Sequence, residues 1–186
     1  MNSSTYFCRD AYKFCPNITQ GWEHGFSSFF AETEKDKKIL DVGCGSQAEF
    51  LREAHNIYGI DPNLGMQRYN GREEYFKVRP YCIGRCYRAL AEELPFRDET
   101  FDYAISTKTV GWYPRHINFG MAVGEMLRVV KKKSGVVLFN IGQEMTDGVM
   151  APVLESFQTR AYNVGCIGAN LIVLSHPDYE SPSNKV

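Results

Sequence analysis

The chain has 186 residues, a formal net charge of -1, 44 % hydrophobic and 23 % charged residues. That is enough for one domain with its own core, and the ordinary composition excludes a disordered or fibrous chain. The near-zero charge supplies no bulk pull toward nucleic acid or an anionic membrane, and no apolar run is long enough to span a bilayer.

Residues Met1 to Tyr6 lack a basic region followed by an apolar one, so no secretory signal is expected and the expected location is cytoplasmic. Residues Asn2 to Gln20 mix aromatic and polar groups, and Pro16 interrupts any long helix there. Trp22 to Glu34 reads as an amphipathic helix, with Trp22, Phe26, Phe29 and Phe30 at helical spacing. A charged run, Glu32 to Lys38, closes it as a solvated helix end.

The organising stretch follows. Ile39-Leu40-Asp41-Val42 is apolar and rich in β-branched residues, the pattern of a buried strand. Gly43 and Gly45 come at once, and glycine permits both φ > 0 and close approach of a ligand to the backbone. Ala48 to Ala54 reads as a short helix with Ser46 available as N-cap. Strand, glycine turn and helix together make the nucleotide crevice of an open α/β sheet. A second strand, Asn56 to Ile60, ends on Asp61, close to the spacing of ~20 residues at which such folds place a ribose-binding carboxylate. An ionised carboxylate is an acceptor-only fork that can take both vicinal hydroxyls.

Asp61-Pro62-Asn63 turns the chain, and Leu64 to Tyr69 reads as the next crossover helix. Arg85 to Leu90 is the expected third strand and Phe101 to Ser106 the fourth. A loop, Thr107 to His116, leaves the carboxyl end of that strand, where α/β ligands bind. Phe119 to Val130 reads as a helix with Met121, Val123, Leu127 and Val130 toward the sheet, and Lys131 to Lys133 complement its dipole. Gly135 to Ile141 is the fifth strand, Pro152 to Tyr162 a helix with Pro152 in its first turn, and Ala169 to Leu174 a late strand.

Six cysteines, at 8, 15, 44, 82, 86 and 166, read as free thiols of a reducing compartment. Cys82 and Cys86 have a spacing a metal could use, but Cys8 and Cys15 are too far apart to complete a zinc pattern, so no metal is expected.

Four ordered segments resemble class I S-adenosylmethionine-dependent methyltransferases: Ile39 to Gly45, Tyr58 to Asp61, Ala91 to Ser106, and Glu125 to Leu138. The match runs from about Lys38 to Ile141 and is closest to the small-molecule, menaquinone-biosynthesis-like (type 11) branch. The resemblance implies a single Rossmann-like domain: an open, mostly parallel sheet with helices on both faces. The family normally ends with two strands, and this chain departs from it with reduced C-terminal strands, room for one clear strand and a stub. It implies a helical cap over residues 1–36, a core over 37–176 and a loose tail over 177–186. It implies S-adenosylmethionine as cofactor, S-adenosylhomocysteine as product, and a small-molecule acceptor. Neither nucleic acid nor membrane is an expected partner. The loop after the fourth strand has no Asn-Pro-Pro-Tyr or Asp-Pro-Pro-Tyr, the sequences that hold a flat amide or base amine.

The same resemblance assigns cofactor contacts to Asp41, Gly43, Cys44, Gly45, Asp61, Pro62, Met66, Ala91, Glu92, Ser106 and Thr107. Asp41 either braces the glycine turn or takes the methionine amino group. Met66 either lies beneath the adenine or fills the core, and Tyr12 is a candidate cover. The family commonly has an Asp where this chain has Leu90, so adenine recognition passes to Glu92 or to the backbone. Ser106 and Thr107 are expected to border the transferring methyl. His116 is the candidate base, its ordinary pKa lying closest to neutrality, or else a solvent-facing loop histidine. Tyr113 is a wall of the acceptor pocket or a weak catalytic candidate.

Two other readings compete. A nicotinamide domain shares Gly43, Gly45 and Ala48 in letters, but not the later segments. A catalytically degenerate member would bind a ligand or partner without turnover, as Gln47, Leu90 and the reduced C-terminus suggest.

Overall fold

The computed structural model describes residues 36–46, 48, 51, 55–69, 72–75, 77–107, 109–110, 117–140, 147–160, 163–167 and 171–180. The expected helix Trp22 to Glu34, Tyr12, Cys8 and Cys15 lie outside these residues, as do Gln47, Tyr113 and His116.

Nine strands form among the described residues: β1 Ile39–Val42, β2 Ile57–Ile60, β3 Met66–Tyr69, β4 Arg72–Tyr75, β5 Cys86–Tyr87, β6 Tyr103–Ser106, β7 Val136–Asn140, β8 Asn163–Ile167 and β9 Leu171–Ser175. Two α-helices accompany them among the described residues, α1 Phe119–Val129 and α2 Asp147–Thr159, with a short 3-10 turn at Pro80–Cys82. Seven strands make one sheet in the order β5-β2-β1-β6-β7-β9-β8. The first five of that order pair in parallel, and β9 and β8 are antiparallel to their neighbours.

β1, β6 and β7 are buried throughout, as strands covered on both faces must be. Period-2 alternation sends their side chains to two separate layers. Leu40, Val42, Ala104, Val137 and Phe139 pack with Ala122, Val123, Met126 and Leu127 of α1. Ile39, Ile105, Val136 and Leu138 pack on the other face with Ile57, Leu51, Leu64 and Cys82.

Sequence and structure part at several places, and the expected third strand over Arg85 to Leu90 shortens to Cys86–Tyr87. First, the crossover helix expected over Leu64 to Tyr69 is instead a turn followed by an antiparallel hairpin of β3 and β4, with Met66 opposite Tyr75. Gly65 has φ +73, a conformation that ends helical progress, and no apolar helix period follows it. Arg85 takes over bracing on this flank. Its guanidinium donates to the carbonyls of Tyr81, Ile57 and Leu51. Second, the stub expected at the C-terminal end is a full strand, for β8 and β9 are five residues each and pair along their whole length. Third, α2 begins at Asp147, so Pro152 lies inside the helix and not in its first turn. Fourth, Met121 is 55 % exposed, while Phe119, Ala122 and Met126 take the buried face of α1.

Around Ala48 the chain turns by bonds three residues apart, Ala48 N–H to Gly45 and Leu51 N–H to Ala48. Ala48 has φ 47, outside the α-helical region, and residues 49–50 and 52–54 of the expected helix lie outside the described residues. No described helix is long and apolar enough to cross a membrane.

Candidate functional site

β1 is the switch point of the sheet, with β2 on one side and β6 on the other. Ligands of open α/β sheets bind in the crevice outside the strand ends at such a point. A cleft opens there. It is lined by Gly43 and Thr109, by Ile60, Asp61, Pro62 and Asn63, and by Leu90, Ala91, Glu92 and Ile117.

The glycine turn is fastened before any ligand arrives. The amides of Gly43 and Cys44 both donate to the Ile60 carbonyl, at 2.8 and 3.0 Å. Gly45 N–H donates to Asp61 Oδ2 at 3.0 Å, and Asn63 N–H donates to Asp61 Oδ1 at 2.7 Å. Each carboxylate oxygen keeps a further lone pair. Asp61 can therefore brace the turn and still accept a ligand hydroxyl.

The two glycines have different reasons to be glycine. Gly43 has φ +85, and a Cβ there would meet the Thr109 side chain. Gly45 has φ +81 with no heavy atom within 4 Å of a Cβ. Gly43 thus makes room for the chain's own Thr109, and Gly45 faces open space.

Asp41 lies in β1 beneath this turn and is buried. Among the described residues its Oδ1 has no hydrogen-bond partner. Burial, with the Asp61 charge beside it, pushes the carboxyl up to about 7. An orphaned buried acceptor is costly, and a cationic or N–H donor from a ligand would relieve it. S-adenosylmethionine carries an ammonium and ribose hydroxyls, so the acceptors Asp41 and Asp61 beside the Gly45 turn fit that cofactor.

Cys44 donates weakly to the Gly45 carbonyl, and burial pushes its thiol up. Burial and a hydrogen bond with Cys82 do the same to Cys86. These thiols are therefore not nucleophiles at neutral pH. Among the described residues no group of three His, Cys, Asp or Glu could hold a metal.

Several expected contacts sit otherwise. Ser106 is wholly buried: its hydroxyl donates to the Val42 carbonyl at 2.8 Å and accepts from Val110 N–H at 3.0 Å. It clasps β1 to the loop after β6 and offers no free hydroxyl to a ligand. The Thr107 carbonyl accepts from Thr109, at 3.5 Å. Met66 starts β3, half-buried, and is not part of the cleft wall. Pro62, Ala91 and Glu92 do line the cleft. Glu92 Oε1 accepts Asn118 N–H at 2.8 Å, and the Asn118 side chain caps α1 by accepting from Met121 N–H. Thr109, Asn63 and Ile117 line the cleft without having been singled out in the sequence. Only their place after strand ends could have flagged them.

A second cluster holds the wall in place. Arg128 near the end of α1 donates to Glu125 and Asp98 and to the carbonyls of Leu94 and Phe96. Glu125 in turn accepts Leu94 N–H, and its contact with Arg128 holds its carboxyl below the usual range. Asp102, at the start of β6, accepts from Lys38 N–H and from the Lys131 ammonium, both structural.

Residues 40–139 match the family described as a methyltransferase domain. The chain is 31 % identical over 135 residues to a demethylmenaquinone methyltransferase of Lysinibacillus sphaericus, covering 69 % of this chain and 54 % of that protein. It is 36 % identical over 95 residues to a malonyl-[acyl-carrier protein] O-methyltransferase of Geobacter sulfurreducens, covering 48 % of this chain and 34 % of that protein. The chain thus spans about half the length of the demethylmenaquinone methyltransferases it matches. A Bacillus halodurans crystal structure, provisionally assigned to the methyltransferases, superposes with TM-score 0.51 at 16 % identity, covering 76 % of this chain and 69 % of that one. That likeness shows the fold.

Proposed function

The chain belongs to the methyltransferase-domain family of the type 11 branch, and from that premise we propose that it transfers the methyl group of S-adenosylmethionine to a small-molecule acceptor. The observation that carries the reading is the orphaned Asp41 oxygen beneath a glycine turn whose second brace is Asp61. The demethylmenaquinone methyltransferases among its relatives support a small acceptor.

The cofactor supplies an activated methyl on a sulfonium, already a good leaving group. The protein's task is therefore alignment, which can lower the barrier by several kcal/mol. Asp61 holds the ribose hydroxyls. Asp41 would take the methionine ammonium. Pro62, Ala91 and Glu92 wall the base. Thr107 and the Ser106 backbone border the reacting end, with Thr109 beside them. His116 accepts the acceptor's proton when the attacking atom must lose one, and Tyr113 walls the acceptor pocket.

Isothermal titration with S-adenosylhomocysteine tests the cofactor half of this reading, and a screen of pooled metabolites with methyl-labelled cofactor tests the acceptor half. Absence of binding would sink both.

A ligand-binding protein without turnover is the second reading. It is favoured by one observation: Leu90, and not an acid, lines the cleft at the position where the family commonly has Asp. Cofactor binding with no labelled product across the screen would support it.

A further inference from the structure

β5 is an outer strand of the seven-stranded sheet, and among the described residues it pairs only with β2. Gly59 N–H donates to the Arg85 carbonyl at 2.9 Å, and Asp61 N–H to the Tyr87 carbonyl at 3.2 Å. Backbone groups alternate in direction along a strand. The carbonyls of Arg85 and Tyr87 therefore face β2, and the N–H and C=O of Cys86 face outward. An edge of this kind is a template for another strand.

Proteins protect such edges by keeping them short and charged, and β5 is short. Protection does not explain the apolar side chains around it. Tyr75 is 67 % exposed, Ile83 75 % and Tyr87 38 %, three of the five large hydrophobic residues so exposed among those described. They lie about one edge. The Tyr87 hydroxyl donates to the Gly84 carbonyl at 3.1 Å, beside Ile83, and Tyr75 is within electrostatic reach of Arg88, the residue after β5. The Tyr87 ring stands edge-on to Phe96, with centroids 5.3 Å apart. A tyrosine held at both ring and hydroxyl has little rotamer freedom left to lose, which suits it to anchor a partner.

Charge selects the partner. Residues 77–90 hold Lys77, Arg79, Arg85 and Arg88 and no acidic residue. Lys77, Arg79 and Arg88 are exposed. The neighbouring hairpin adds no net charge, since Arg68 and Arg72 balance Glu73 and Glu74. A second copy brought edge to edge about a two-fold axis would set like charge on like charge. An acidic segment meets attraction instead.

We propose that the β5 edge docks an extended acidic segment of a partner protein by strand addition. The backbone of that segment bonds to Cys86, its apolar side chains cover Ile83, Tyr87 and Tyr75, and its carboxylates face Lys77 and Arg88. The surface is separate from the cofactor cleft, and the proposal does not depend on what the cleft binds.

The test is fluorescence anisotropy of a labelled, alternating Glu-Val peptide titrated with the full chain. Binding should saturate and should weaken at least about fivefold between low salt and about 1 M salt. A Lys-Val peptide of the same length should bind at least about tenfold more weakly. So should the Glu-Val peptide methylated at every amide nitrogen, which keeps the charge and the side chains but loses the donors a strand needs. Ile83→Asp changes an exposed residue outside the cleft. It should weaken the Glu-Val peptide about tenfold or more and leave circular dichroism and S-adenosylhomocysteine titration as in the wild type. Failure of the wild type to bind the Glu-Val peptide overturns the proposal. Equal affinity for the Lys-Val peptide does so too, and equal affinity for the methylated peptide rules out strand addition. A dimer in sedimentation that Ile83→Asp dissociates would give the edge to a second copy and overturn the proposal as well.

Discussion

The carboxylate of Asp61 accepts the amide hydrogen of Gly45 at 3.0 Å, so the acid at the end of β2 holds the turn at the end of β1. Two motifs 16 residues apart in the chain are one mechanical unit in the fold. A ligand that engages Asp61 engages a group already pinned by two backbone amides, Gly45 and Asn63. Preorganisation of this kind lowers the ordering cost of binding.

Asp61→Ala therefore removes a ligand acceptor and a turn brace together. Loss of a hydrogen bond to a charged group costs roughly 1.5–3 kcal/mol, which alone is about ten- to a few hundred-fold in affinity. Titration with S-adenosylhomocysteine should show at least this loss, together with a lower melting temperature. Asp61→Asn keeps an oxygen for one backbone amide and should recover stability more than affinity. Wild-type affinity in a folded Asp61→Ala variant would place the ribose elsewhere.

Gly43 and Gly45 should respond differently to alanine. Each residue has positive φ, where an L side chain costs about 1–2 kcal/mol. Gly45→Ala should lose about that much stability, since nothing occupies the space its Cβ enters. Any fall in cofactor affinity beyond it reports direct contact with the ligand. Gly43→Ala should cost more, because its Cβ meets Thr109. Adding Thr109→Ala should recover part of that excess in a double-mutant cycle. Equal melting points for the two single variants would refute the distinction.

The raised Asp41 carboxyl fixes a pH dependence. Its pKa is about 7 folded against 3.8 ordinarily. Below pH 4 both folded and unfolded chains hold the proton. Between there and about 7 the unfolded chain ionises first, so the folded state is progressively disfavoured as pH rises. The ligand-free protein should lose stability over that window, by an amount on the order of 4 kcal/mol from this group. A ligand ammonium favours the ionised form. Binding should therefore release a proton below about 7, and affinity should climb with pH and then level off. Titrations in buffers of different ionisation enthalpy count that proton. Asp41→Asn should abolish both slopes, and slopes that survive it would belong to another group.

The parallel core was legible in the sequence because its signals are local. Ile39–Val42 and Val136–Asn140 are short runs dominated by apolar and β-branched residues, interrupted by Asp41 in the first and ended by Asn140 in the second, and Gly43 and Asp61 sit where strand ends must place them. The hairpin of β3 and β4 was not legible. Arg72, Glu73, Glu74 and Tyr75 are all exposed, so burial imposes no pattern on them, and only Gly65 marked the break. Nor could the engagement of Ser106 or Glu92 be read. A hydroxyl at a strand end looks the same whether it faces a ligand or bonds to a carbonyl 64 residues away. Long-range pairing of polar groups leaves no periodicity behind.

Ser106 separates the two possibilities by experiment. In the structure its hydroxyl joins the Val42 carbonyl of β1 to the Val110 amide beyond β6, and the residue is fully buried. Ser106→Ala would leave a buried acceptor and a buried donor unpaired, at about 1–3 kcal/mol each. In a domain of this size one kcal/mol moves the melting temperature by roughly 2–4 °C. The variant should therefore melt at least several degrees lower. Cofactor affinity should change little at a temperature where it is folded, because the hydroxyl does not face the cleft. A residue that contacted the ligand would show the opposite: an unchanged melting point without ligand and a weakened titration. Thermal unfolding with and without S-adenosylhomocysteine distinguishes them, since a ligand-contact role would shrink the ligand-induced rise in melting temperature and a clasp would leave that rise intact.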